Sequence, residues 1–123
     1  MMVKIDTREK FHVITIHEPI LAANMTEKMD KVLLPLLNDN VKNMIINMQD
    51  IQILDDAAAR HLIDLQQTTY AKRRSFVVCE LQPELKKSLD SRGLLESLNY
   101  TPTVSEAMDI IQMEEIEREF DEN

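Results

Sequence analysis

One glycine, Gly93, occurs in the 123 residues. Phosphate-cradling loops of the Walker or dinucleotide type need several glycines at fixed spacing, because the backbone itself must close on the phosphate. Such loops are excluded. There is one cysteine, Cys79, so no disulfide can form within the chain. It lies in the apolar run Phe76-Val77-Val78-Cys79. A packed, unreactive thiol is expected there, as in a reducing compartment. No basic stretch followed by an apolar stretch opens the chain, so no signal peptide is expected. The longest apolar runs are four or five residues, far short of the roughly 20 needed to span a bilayer. Positive charge is also in short supply: 14 Lys and Arg stand against 22 Asp and Glu, a formal net charge of −8. A nucleic-acid surface needs clustered Lys and Arg, so that class is disfavoured.

What is present is ordinary globular composition, with 44% hydrophobic residues in a chain long enough for one domain with its own core. Val3 to Ile16 alternates. Val3 and Ile5 oppose Lys4 and Asp6, and after a Glu9-Lys10 turn His12, Ile14 and Ile16 oppose Phe11, Val13 and Thr15. Period two predicts a hairpin. From Met25 the period becomes helical, with Met25, Met29, Val32, Leu33, Leu36 and Leu37 on one face. Asn24 is the expected N-cap, with Glu27 completing a capping box, and Pro35 should kink or thin the last turn. The run Met44-Ile45-Ile46 within Val41 to Met48 suits a strand covered on both faces. A second helix starts at Asp55-Asp56 and carries Ala58, Leu62, Leu65 and Thr69 inward. Asp55 is its natural N-cap, and Lys72-Arg73-Arg74 complements its C-terminal end. A further short strand spans Phe76 to Cys79. Pro83 then opens a third helix, stopped at Gly93, and Thr103 to Glu106 caps a fourth. Strands alternating with helices predict an α/β fold: a mixed sheet of four or five strands with about four helices, mainly on one face. The domain is expected over residues 1–113. Residues 114–123 are read as an acidic C-terminal tail or helix extension, solvated apart from Ile116 and Phe120, which have the character to dock.

Candidate chemistry is sparse. Asp55 and Asp56 are adjacent, but neighbours in a helix point about 100° apart, and a hard cation needs oxygen ligands from elsewhere. Capping and dipole compensation explain the pair better than catalysis or metal binding. His12, His17 and His61 are scattered. His61 and Asp64 have metal-compatible spacing but no further ligands, so surface or boundary histidines are expected. Lys72-Arg73-Arg74 is the one basic cluster, with helix-end complementarity as its simplest role and anion binding as a weaker one. No constellation supports an enzyme, a cofactor or a metal centre.

The ordered set of segments is nonetheless distinctive. Ile51-Gln52-Ile53-Leu54-Asp55-Asp56-Ala57-Ala58 resembles the stretch of bacterial anti-sigma factor antagonists, of STAS-domain fold, that leads through an Asp-Ser dipeptide into the second helix. Phe76 to Leu89 resembles the family's next strand and helix. Ser91-Arg92-Gly93-Leu94 matches its Gly-Leu ending, and Ser105-Glu106-Ala107 matches the start of its last helix. The similarity runs without a gap from about His12 to Ile111.

The resemblance implies a cytoplasmic protein-binding regulator, a monomer or weak dimer. It would hold a kinase-like anti-sigma factor and so free a sigma factor for transcription. In the family the serine after the Asp is the phosphorylation switch. A phosphate there adds about −1.5 to −2 charge to the contact surface. Here Asp56 stands at that position, a fixed −1 that no serine kinase can modify, and Ala57 and Ala58 replace the usual small residues. Glu18 and Leu21 stand where the family often has Gly and Asp. The implied partner surface is Ile20, Leu21, Asn24, Asp55, Asp56, Ala57, Ala58 and Ala59. The favoured reading is a non-switchable antagonist. The others are a partly phosphomimetic variant, or regulation moved to Thr68, Thr69 or Ser75. The alternative role that the fold allows is a cytoplasmic STAS subunit of a membrane transport complex for lipid or anion.

Overall fold

A computed structural model describes residues 1–121. The expected hairpin forms, with β1 (Val3–Thr7) antiparallel to β2 (Phe11–Ile16); β2 alternates in burial, whereas β1, at the sheet edge, leaves Ile5 as exposed as Lys4 and Asp6. β2 pairs in parallel with β4 (Asn43–Asn47), β4 with β6 (Phe76–Cys79), and β6 with β7 (Tyr100–Thr101), giving a five-stranded sheet in the order β1-β2-β4-β6-β7. Every residue of β4 and β6 is buried, the burial that continuous apolar runs in a covered parallel sheet demand.

Three helices, α1 (Thr26–Leu33), α2 (Asp56–Ala71) and α3 (Pro83–Ser91), cover one face. Ile14, Ile16, Met44, Ile46, Phe76 and Val78 from the strands meet Met29, Leu33, Leu62, Leu65, Leu85 and Leu89 there. The other face carries Ile45, Val77 and Cys79, and a fourth helix, α4 (Val104–Asp121), lays Ala107 and Ile111 across them. The expected one-sided cover is thus three helices to one. Burying an aliphatic side chain contributes about 1.5–3 kcal/mol, so the larger core dominates.

A second, two-stranded parallel ribbon lies outside this sheet: β3 (Ile20–Leu21) pairs with β5 (Ile53–Leu54), in register Ile20 to Ile53 and Leu21 to Leu54. The ribbon, and β7, are two residues long and too short to show any period in the sequence.

The helix ends follow local chemistry. At α3 the Gly93 N–H bonds to the Asp90 carbonyl and the Leu94 N–H to the Leu89 carbonyl, with Gly93 at φ +70. This is the Schellman arrangement, sealed by buried Leu89 and Leu94. α2 ends in the same arrangement, Arg73 N–H to Tyr70 and Arg74 N–H to Thr69, but with Arg73 in the left-handed position at φ 59. Thr103 Oγ1 accepts from the Glu106 N–H and caps α4. Pro35 has a larger effect than a kink: α1 stops at Leu33 and residues Leu34–Asn38 continue as a 3₁₀ helix, because proline cannot donate to the α-helical ladder. Asn24 is not the N-cap of α1. A 3₁₀ turn, Ala23–Met25, intervenes, and Asn24 stays exposed inside it without capping.

Candidate functional site

The N-terminus of α2 and the β3–β5 ribbon meet at one end of the sheet, and Asp55 ties them together. Its Oδ1 accepts from the Ala58 N–H at 2.8 Å and its Oδ2 from the Ala23 N–H at 3.0 Å. One carboxylate therefore caps α2 and also fixes the turn that enters α1. The backbone N–H groups of Ala58 and Ala23 hold the Asp55 carboxyl below its ordinary range. The Arg92 guanidinium adds to this, and partial burial opposes it. Asp55 is thus a structural anion with both oxygens committed.

Asp56 differs. It opens α2 with its side chain 61% exposed, and its Oδ1 lies 2.6 Å from Nη1 of Arg92. Arg92 Nη2 donates to the Leu54 carbonyl at 2.9 Å, and Nε donates to the Ser88 carbonyl at 3.2 Å. The end of α3 is thereby pinned to the junction of β5 and α2. No spacing in the sequence signals a cation beside the two carboxylates. Arg92 lies 36 residues from Asp56 in the chain, and its place follows only from how α3 folds back over the sheet.

The implied surface residues separate into two groups. Leu21, Ala58 and Ala59 are completely buried in the core. A partner docked on this fold cannot touch them. The reason is periodicity: Leu21 faces inward from the ribbon while Ile20 faces out, and Ala58 and Ala59 lie on the inner face of α2. Ile20, Asn24, Asp56 and Ala57 are exposed and Asp55 is half-buried. Ile53, which the sequence reading passed over, is 56% exposed beside Ile20, itself 47% exposed. The exposed patch is two paired isoleucines next to a helix N-terminus whose one outward carboxylate is already paired.

Other candidates resolve simply. Each histidine has a carboxylate partner: His12 with Asp39 (3.1 Å), His17 with Asp50 (2.6 Å) and His61 with Asp30 (2.6 Å). His61 turns to α1 rather than to Asp64, and His12 is buried rather than at the surface, held by Thr7 as well. No group of three metal-type side chains occurs among the described residues. Burial pushes the Cys79 thiol up to about 12, with Glu80 adding to it. Thr69 and Ser75 are fully buried and hydrogen-bonded, so neither is open to a kinase, whereas Thr68 is exposed. Among the described residues no helix is long and apolar enough to cross a membrane.

No curated protein sequence matches the chain. Among solved structures it is similar to an anti-sigma factor antagonist from Mycobacterium paratuberculosis, at 14% identity and a TM-score of 0.72, covering 90% of this chain and 93% of that one. It is similar to the anti-sigma factor antagonist SpoIIAA in its unphosphorylated form, at 16% identity and a TM-score of 0.68, covering 90% and 96%. It is also similar to part of the murine anion transporter Slc26a9, at 12% identity and a TM-score of 0.69, covering 84% of this chain and 18% of that one. At these identities the likeness is one of fold. The family model of the STAS domain matches residues 2–107, and with the mixed sheet and helix order described above, the chain belongs to the STAS domain family.

Proposed function

We propose that the protein is a cytoplasmic regulator that works by binding, not by catalysis: it holds a serine-kinase-like anti-sigma factor on the surface formed by the α2 N-terminus and the exposed Ile20–Ile53 pair. The observation that carries this reading is the state of residue 56. Where the family resemblance expects a serine that binds the partner when unmodified, this chain has an Asp whose charge Arg92 meets at 2.6 Å. A phosphoserine would bring about −1.5 to −2 and three strong acceptor oxygens. A single carboxylate already paired with a guanidinium presents far less negative charge. The surface therefore resembles the unmodified serine more than the phosphorylated one, and antagonism is constitutive. Ile20 and Ile53 supply the apolar contact area.

The test is affinity capture of the tagged protein from its native cytoplasm, run in parallel with Asp56→Lys and read by mass spectrometry of bait and prey. A kinase-like ATPase recovered by the native chain and lost with Asp56→Lys, with residue 56 unmodified, supports the reading. Equal recovery by both baits places the contact elsewhere. A second reading, a cytoplasmic subunit of a membrane transport complex, draws on the fold likeness to part of an anion transporter. A permease or transport ATPase as prey would select it.

A further inference from the structure

The two edges of the main sheet differ. One is β7, only two residues long. The other is β1, five residues long, with Lys4 to Thr7 all exposed. An open edge of that length offers a row of unpaired N–H and C=O groups to a further strand, and proline or a bulge commonly blunts it. β1 contains no proline, and its register with β2 runs unbroken.

The hydrogen bonds fix which groups are on offer. The Met2 carbonyl accepts from the His17 N–H at 2.8 Å, and the Arg8 N–H donates to the Phe11 carbonyl at 2.9 Å. In an antiparallel ladder, residues that bond to the neighbouring strand alternate with residues that do not. Lys4 and Asp6, in step with Met2 and Arg8, therefore turn their backbone groups to β2. Val3, Ile5 and Thr7 turn theirs to the open edge.

This alternation limits how a second β1 could lie antiparallel along the first. Val3, Ile5 and Thr7 of one copy must oppose residues of that same set in the other. A two-fold centre that uses most of the strand then falls on Lys4, Ile5 or Asp6. Centred on Lys4, two lysines face each other, and centred on Asp6, two aspartates do. Like charges directly opposite are destabilising. Centred on Ile5, each Lys4 faces the Asp6 of the other copy. These are non-hydrogen-bonded positions, where the Cα atoms lie about 4.5 Å apart and side chains are closest. Val3 then exchanges backbone bonds with Thr7, and Ile5 with Ile5.

The side chains agree with that register. Ile5 is 43% exposed and lies opposite Ile14 of the larger core, so two copies of Ile5 would cover each other on that face. Asp6 is already 3.0 Å from Arg8, but both side chains are about half exposed, and a carboxylate has acceptor sites for both cations.

We propose that β1 is the interface of an isologous dimer, in which two copies of this chain join their sheets antiparallel about Ile5. The self-complementary order Lys4-Ile5-Asp6 selects the partner and the register together. Such an arrangement closes on itself and consumes the one long edge, so it gives a dimer and not a filament. It rests on the edge strand alone and is independent of the anti-sigma reading.

The experiment is sedimentation equilibrium of the full chain at up to about 1 mM, where a monomer–dimer equilibrium with Kd below about 1 mM and no larger species is expected. Ile5→Pro removes an outward N–H and spares the bonds to β2. It should raise Kd at least tenfold while the circular dichroism spectrum stays native. Lys4→Asp and Asp6→Lys each set like charges opposite in the dimer, so each variant alone should be monomeric where the native chain is dimeric. An equimolar mixture of the two should form a heterodimer, because every facing pair is again of opposite sign. A folding defect would not be rescued by mixing, so this arm decides the matter even if Ile5→Pro does not fold. A native chain that stays monomeric at about 1 mM, assemblies larger than a dimer, a dimer that both charge reversals leave intact, or folded charge variants that do not pair with each other would overturn the proposal.

Discussion

Arg92 holds Asp56 with Nη1 at 2.6 Å and, through Nη2, the Leu54 carbonyl at 2.9 Å, so one guanidinium spans from the end of α3 to the start of α2. The two contacts differ in kind. The carboxylate is mostly exposed, and an exposed ion pair contributes roughly 0.2–1 kcal/mol. The carbonyl bond is part-buried and orients the loop from which α2 springs. Arg92 therefore both sets the charge of the candidate surface and ties the end of α3 to the start of α2. Arg92→Gln removes both contacts and should lower stability in urea by about 1–3 kcal/mol while leaving Asp56 uncompensated. Partner affinity measured by calorimetry should fall, and unchanged affinity would show that the charge at residue 56 is not read.

Asp55 answers a different measurement. Removing it takes away the cap of α2 and the acceptor for the Ala23 N–H together. Loss of a cap costs about 0.5–2 kcal/mol, so Asp55→Ala should destabilise the domain by about 1–2 kcal/mol in urea unfolding. Its carboxyl is held below the ordinary value. A depressed carboxyl stabilises the fold above its unfolded pKa of about 3.9, and that contribution is lost as pH falls through the folded value. The native chain should therefore lose stability below about pH 4, and Asp55→Asn should flatten that part of the profile. Asp39 and Glu115 are lowered as well, so the profile should flatten without becoming level.

The ribbon separates contact from packing. Ile20 and Ile53 face solvent side by side, while Leu21 and Leu54, their chain neighbours, are buried. Ile53→Asp should leave the unfolding free energy within about 0.5 kcal/mol of native yet weaken partner binding at least tenfold. Leu21→Ala should cost about 2–5 kcal/mol. If Ile53→Asp binds as well as the native chain, the apolar pair is no part of the docking surface.

The sequence was most legible where one period ruled. The alternation of β2, the buried run of β4 and the helical spacing of α2 each follow from a side-chain pattern repeated over five or more residues. The Pro83 start and the Gly93 stop of α3 were legible because proline and glycine act through their own backbones. Asn24 misled because capping chemistry is necessary but not sufficient: it lies inside the 3₁₀ turn Ala23–Met25, and α1 begins only at Thr26, with Met25 at the N-cap position. The same limit hid Arg92 and the network joining Asn43, Ser75, Glu115 and Arg118. Their partners are set by tertiary geometry, and no local spacing signals them. At the candidate site, the identity of residue 56 was visible in the sequence but its neutralisation was not.

Cys79 gives the last and simplest check. It is fully buried between α4 and the sheet, and burial pushes its thiol up to about 12. The thiolate is the reactive species, so at neutral pH the native chain should not react with a disulfide reagent on the timescale of minutes. The same reagent should titrate one thiol per chain in denaturant. Because Ala107 and Ile111 of α4 cover this face, any native-state reaction reports local opening of that helix. Ile111→Ala, which thins the cover at a cost of about 2–5 kcal/mol, should speed labelling markedly. Labelling that stays at the native rate in that variant would mean that α4 is not what shields the thiol.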